Sequence, residues 1–394
     1  MMERFSRSFF KDILIIAALT ILINLLVWLP HYLKFSNFYN LNFSPGMETI
    51  YKNYDGLEYI VIAKSFYLPQ LITPLSPSLS PAYFASHFPL YPLLIFLIAP
   101  VMGFLKAMVI VPLLFTIFSA VAFYLLVRDF KLSDHPLFLS LIFLVLPGRW
   151  LIVHSVGSAE PIFIFFTILS LYYFMKYEQL RATKFIWLSA IAALFAQLTR
   201  PPGILLFIAL ALFVHYKFYL ESKVLGFKKA LVNHLNYYPF ILAPLGLLAV
   251  FVLFSVTLGD FWAYFHSGDN IHLTFPPFQV FNKAQPWVGD IWLEDIIYVF
   301  VLGFLGAMLL LKQKLLPLAF FVSTYLIATI LVAHRDISRY ALPVFPFVMI
   351  AYQKTLVSKE FKIVLVIAAL AIYLYTQNFL LNNTAPIAVL DPFN

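Results

Sequence analysis

Long apolar runs recur along the whole chain. A helix that crosses a bilayer needs about 20 consecutive, mostly apolar residues. In hydrocarbon, backbone polar groups are satisfied only within helices or closed barrels. Runs of this kind, several of them short, fall at 12–33, 88–105, 107–127, 136–152, 159–175, 185–199, 201–220, 237–258, 293–311, 315–333, 340–353 and 361–380. Composition agrees: 62% of the 394 residues are apolar and 11% are charged, against about 25% charged in soluble domains. The sequence predicts an all-α polytopic membrane protein, read as a single domain over 1–394. Soluble, fibrous and disordered classes are excluded. Cysteine is absent, which removes disulfides, thiolate nucleophiles and cysteine-ligated metals. The first run follows Arg4, Arg7 and Lys11 and has no small-residue cleavage site after it. It reads as a helix rather than a signal peptide.

Basic residues orient these runs, because cytoplasmic loops collect Lys and Arg. The run at 88–105 contains Pro89, Pro92 and Pro100, each of which removes a backbone donor. If it does not cross, 17 of the 26 basic residues lie inside and nine outside. If it crosses, the split reverses. The sequence therefore predicts about eleven spans, an inside N-terminus and a membrane-embedded, non-crossing segment at 88–105. Eleven of the 18 acidic residues then lie outside. The net charge of +8 is an inner-face feature, and a nucleic-acid partner is not expected. Two long outer loops result, at about 34–106 and 259–292. The second is rich in aromatics from Phe261 to Trp292. Loops of this length are usually functional or disordered.

Several outer residues are candidates for chemistry. Asp55 stands in Tyr54-Asp55-Gly56-Leu57-Glu58-Tyr59. A helix over 56–67 would place Tyr59, Ile62, Ala63 and Phe66 on one apolar face, lying along the membrane with Asp55 at its start. The plain alternative for Asp55 is an N-cap. His87-Phe88-Pro89-Leu90-Tyr91-Pro92 suggests irregular backbone lining a cavity, or simply a kinked helix end. Glu160 precedes Pro161, which fits a helix start and also a carboxylate facing an outer cavity. Arg200 stands in Leu198-Thr199-Arg200-Pro201-Pro202-Gly203, at a tight outer hairpin. It either reaches lipid headgroups or holds an anionic phosphate. Arg335, Asp336 and Arg339 form a further outer cluster, for which an internal ion pair is the plain reading.

Taken in order, the motifs Asp55-Gly56 with Tyr59 and Ile62-Ala63, Phe88-Pro89-Leu90-Tyr91-Pro92, Glu160 with Phe163, Leu198-Thr199-Arg200 with Gly203, and Arg339-Tyr340 with Pro343 resemble the PIG-V mannosyltransferases. These enzymes add the second mannose in GPI-anchor assembly and have shorter prokaryotic relatives. The resemblance covers roughly 54–346. This chain departs from the family in carrying Tyr54 where Trp is usual, His87 before Phe88-Pro89, and Ser158-Ala159 before Glu160.

The resemblance implies a GT-C-type fold and a glycosyltransferase. Such an enzyme takes a sugar, here mannose, from a polyprenyl-phosphate donor on the non-cytoplasmic side and passes it to a glycan or glycolipid acceptor. In this reading Asp55 is the general base of an inverting transfer and Glu160 assists it. Arg200 and Arg339 hold the donor phosphate, and Tyr54, Glu58, His87 and Tyr91 contact substrate. No Asp-x-Asp pair occurs, so no metal is predicted; a divalent ion shared by Asp55 and Glu160 is the alternative, and no other cofactor is expected. The rival classes are a transporter or lipid-linked-sugar flippase, and a non-catalytic assembly partner. A transporter would place ionisable groups at mid-membrane, whereas here they cluster at outer ends. The length favours a prokaryotic plasma membrane, with the endoplasmic reticulum as the eukaryotic counterpart.

Overall fold

A computed structural model describes residues 2–36, 38–268, 273–289, 293–385 and 390–393, with side chains from Phe9 onward. Asp269, Asp290 and Trp292 of the second outer loop lie outside the described residues. In chain order the helices begin with α1 (Met2–Leu33), α2 (Glu48–Tyr51), α3 (Gly56–Ser65), α4 (Pro69–Leu75), α5 (Leu90–Met102) and α6 (Phe104–Asp129). They continue with α7 (Pro136–Phe143), α8 (Gly148–Val153), α9 (Glu160–Leu180), α10 (Thr183–Thr199), α11 (Gly203–Leu225), α12 (Phe227–His234) and α13 (Leu242–Leu258). The last are α14 (Glu294–Lys312), α15 (Leu316–Thr329), α16 (Ile337–Tyr340), α17 (Phe345–Ala351), α18 (Gln353–Leu356) and α19 (Lys359–Asn382). Among the described residues there is no strand, only isolated bridges.

Among the described residues, six helical segments are long and apolar enough to cross a membrane: Phe9–Leu33, Phe104–Asp129, Gly203–Leu225, Phe227–Leu258, Glu294–Lys312 and Lys359–Asn382. Large apolar side chains stand exposed along them, with Val256 at 79% and Val366 at 77% exposure. A surface of that kind is stable against lipid and unfavourable in water. The architecture is that of an all-α polytopic membrane protein. The apolar run at 136–152 is divided into α7 and α8 by residues 144–147.

Helix α5 has 13 residues, about 20 Å at 1.5 Å per residue, against a hydrocarbon core of about 30 Å. It stops at Gly103, whose φ of +83° suits a residue without Cβ. The chain reverses there, and α5 packs back on α6. Pro89 and Pro92 sit at the N-cap and in the first turn of α5, where a missing N–H costs little. They start this helix rather than kink it. Residues 87–89 are irregular, as the sequence predicts.

The chain forms two compact units. The first comprises Met1–Ser80, Pro89–Phe165 and Gln353–Asn394. In it α1 packs on α6, α7 and α19, while α3 packs on α5 and α6. Polar side chains tie α1 to its neighbours. Trp28 Nε1 donates to Ser155 O at 2.7 Å, and Gln377 Nε2 donates to Val27 O at 2.9 Å. His31 Nε2 pairs with Gln377 Oε1 at 2.9 Å, and His154 Nδ1 lies 3.3 Å from Asn24 Oδ1. The second unit comprises Pro81–Phe88 and Phe166–Tyr352. There α10 packs on α13, α11 on α15, and α14 on α15 and α17. Gly303 and Gly306 let α14 approach Leu326 and Val348 closely, the small-residue packing that membrane helices favour.

Candidate functional site

Helix α3 is short, and its sequence is apolar nearly all round: Gly56, Leu57, Tyr59 to Ala63 and Ser65 are buried. The one-sided surface helix expected from Tyr59, Ile62, Ala63 and Phe66 is not what forms. Ile60 and Val61 are buried as well, and Phe66 lies past the helix end, 46% exposed. An element that is hydrophobic on every face needs cover on every face, and α4, α5 and α6 supply part of it.

The start of α3 meets the segment before α9 through two glycines. A Cβ on Gly157 would stand 2.9 Å from Gly56 Cα and 2.7 Å from Met108 Cγ. A Cβ on Gly56 would stand 2.8 Å from Met108 Sδ. This backbone contact brings Asp55-Gly56 beside Gly157-Ser158-Ala159-Glu160. Ser158 Oγ donates to Val153 O at 2.6 Å, and Ser119 Oγ donates to Pro161 O at 3.0 Å, so the approach to α9 is fixed from both sides. Tyr91 is fully buried beneath, with its hydroxyl donating to Met108 O and its ring 4.6 Å from that of Tyr59. Glu160, also fully buried, is within electrostatic reach of the Tyr91 hydroxyl. In this structure Tyr91 is a buried support for the start of α3, packed on Tyr59.

Asp55 occupies the N-cap position of α3, but its side chain makes no capping hydrogen bond. Glu58, one turn on, is partly buried, and its Oε2 is buried without a hydrogen-bond partner. Burial, and then the negative charge of Asp55, push the Glu58 carboxyl up from 4.5 to about 7. Two carboxyls this close resist double ionisation. Tyr54, before them, has φ +49°. Its hydroxyl accepts from Arg149 Nη1 at 3.2 Å, and its ring lies 5.6 Å from that of Phe379.

The second unit carries the other candidates. His87 is 6% exposed, with Nδ1 2.9 Å from Ser86 Oγ. Phe88 beside it packs on Phe254 and on Tyr264 of the second outer loop. Arg200 caps the C-terminus of α10 in extended conformation and is half-buried. The turn after it is closed by Gly203 N–H to Arg200 O at 3.0 Å. Arg339 lies on α16 and is 7% exposed. Part of the second outer loop folds onto the segment leading to it: Thr274 and Phe278 donate backbone N–H groups to Leu331 O and Ile330 O. The ring of Trp287 lies 6.1 Å from that of His334.

The structure thus joins Asp55, Glu58 and Glu160 in one unit and places His87, Arg200 and Arg339 on the other. Sequence reasoning did not find Gly157, Met108 or Arg149. Gly157 carried a signal, standing three residues before a buried carboxyl. The other two are long-range partners that spacing does not announce. No protein-family model and no curated protein sequence matches the chain.

Two predictions arise from this geometry. The methyl of Gly56→Ala meets the flexible end of Met108, so Met108→Ala in the same chain relieves it. In a double-mutant cycle on thermal unfolding, the pair should couple favourably by about 1 kcal/mol. Gly157→Ala should recover less with Met108→Ala, because the Gly56 backbone still stands in the way. Equal recovery in both cycles would contradict the backbone contact. For Glu58, the unfolded chain releases its proton near 4.5 and the folded one near 7. Between these values the folded state binds more protons, so stability falls as pH rises. Glu58→Gln should flatten that part of the stability–pH curve and unfold at a higher temperature than wild type at pH 8.

Proposed function

We propose that this protein is a membrane glycosyltransferase. It moves a sugar, in our reading mannose, from a polyprenyl-phosphate donor to a glycan or glycolipid acceptor on the non-cytoplasmic side, with inversion. The observation that carries the reading is the carboxyl cluster at the Gly56–Gly157 contact. Its Glu58 is raised to about 7 by burial and then by the charge of Asp55. A carboxyl with a raised pKa beside a second carboxyl is a recurrent acid–base arrangement. The ordered resemblance to the PIG-V mannosyltransferases supports the same reading. In the same reading the chain has about eleven spans with α5 embedded but not crossing, an arrangement drawn from the distribution of Lys and Arg that would set the cluster on the outer side.

In the proposed reaction Asp55 takes the proton of an acceptor hydroxyl. The oxygen attacks the anomeric carbon from the face opposite the lipid phosphate. The bond from that carbon to the phosphate oxygen breaks, and polyprenyl phosphate leaves with the electron pair. The reading assigns the charge of the leaving group to Arg200 and Arg339. Glu58, raised to about 7, stands beside Asp55 as the proton-holding carboxyl of the cluster. Glu160, anchored by α9, orients the acceptor side of the cluster. The non-cytoplasmic face of a prokaryotic plasma membrane is the corresponding compartment.

Asp55→Asn tests the assignment, because Asn fills the same volume and serves the N-cap position equally well. The variant should fold with unchanged thermal stability and bind donor, while transfer falls by ~10²–10⁴. A variant that keeps more than about a tenth of wild-type turnover, far short of that loss, would remove Asp55 from the chemistry.

A further inference from the structure

Apart from the carboxyl cluster, the first unit holds a cleft of about 420 Å³, within the ~300–1,000 Å³ of small-molecule sites. Its walls come from the loop before α2, from α2 itself, and from the last turn of α19 with the residues after it. The lining is amide-rich: Asn40, Asn42, Asn378 and Asn382, with Thr49 and Thr384. All of these except Thr49 are exposed to solvent. The charged pair in the lining, Glu48 and Lys52, bridges itself at 2.9 Å, so the cleft has no net charge to attract an anion or a cation. Leu41, Pro45 and Leu381 add apolar surface.

The cleft is built rather than incidental. Asn53, fully buried, donates Nδ2 to Thr49 O and to Leu380 O, both at 2.8 Å. Asn383 Nδ2 donates to Asn53 Oδ1 at 3.3 Å, and Ala385 N–H to Lys52 O at 2.7 Å. One buried amide thus locks α2 to the end of α19, two residues before Asp55. Asn382 Nδ2 donates to Asn378 O at 2.8 Å and to Asn378 Oδ1 at 3.1 Å, and Asn42 Oδ1 accepts from Ser44 N–H at 3.0 Å, which leaves the Asn382 oxygen and the Asn378 and Asn42 amide N–H groups to meet the donors and acceptors of a sugar hydroxyl. Neutral, amide-lined walls with small apolar patches match a polyhydroxylated ring with polar edges and C–H faces. They match neither a phosphate nor a lipid chain.

We propose that this cleft binds a neutral carbohydrate and is the subsite for the acceptor glycan. The carbohydrate class follows from the lining, and the acceptor role rests on the transferase reading above. The full chain, purified in detergent, is titrated with methyl α-mannopyranoside and with an α-linked mannobiose by saturation-transfer NMR. Asn378→Ala/Asn382→Ala is the weakening variant, since alanine is the better helix former at both positions. Asn382→Trp is the variant that fills the cleft. We expect binding of both sugars to wild type and to Asp55→Asn, about tenfold weaker binding to the double variant, and none to Asn382→Trp. Absence of sugar binding to wild type, unchanged affinity in both cleft variants, or displacement of the sugars by inorganic phosphate would each overturn the carbohydrate assignment. A wild type that binds the sugars but transfers none would retain the cleft and remove the acceptor role. An active wild type whose acceptor KM is unmoved in both variants would remove that role while leaving the transferase reading in place.

Discussion

The contact of Gly56 with Gly157 under Met108 is the constraint on which the candidate site depends. A ten-residue helix such as α3 does not hold itself in water or lipid, since short isolated helices are marginal. Its position comes from burial, and its closest approach to another segment comes where neither residue has a side chain. That approach brings the start of α3 beside the segment that opens α9. Burial, and then the charge of Asp55, pushes the Glu58 carboxyl up to about 7.

The segment leading to α9 is held by polar bonds that cost more to break here than in a soluble protein. Asn24, Trp28 and His31 on α1 reach His154, Ser155 and Gln377. His154 Nε2 also lies 3.0 Å from Leu144 O. An unsatisfied polar group away from water costs several kcal/mol, so these bonds fix register between helices whose apolar surfaces would slide freely. The same logic applies at Asn53, where a single amide joins the first outer loop to the end of α19. The segments around Asp55 are therefore pinned by a buried amide.

Much of this fold was legible from hydrophobicity alone. The run at 107–127 became Phe104–Asp129, that at 201–220 became Gly203–Leu225, and that at 361–380 became Lys359–Asn382. Apolar length has few alternatives in a membrane. The prolines of 88–105 marked a departure from a simple span, although two of them start α5 instead of bending it. The break between α7 and α8 was hidden, because its flanks are equally apolar. In the site, Asp55 and Glu58 are local to one turn, so spacing exposed them together. Their proximity to Glu160 depends on Gly157 and Met108, far along the chain, and no periodicity encodes it. The buried state of Tyr91 was also invisible, since an aromatic beside Pro92 reads equally well as packing or as a substrate contact.

The account stands or falls on covalent transfer. The purified protein in liposomes, given a polyprenyl-phosphate mannose labelled in the sugar together with a glycolipid acceptor fraction, distinguishes chemistry from transport by analysis of the labelled products. Transfer predicts that the label leaves the donor, appears on the acceptor with the opposite anomeric configuration, and releases polyprenyl phosphate in equal amount. Label that stays on intact donor and only exchanges between leaflets would contradict it and assign the protein to translocation.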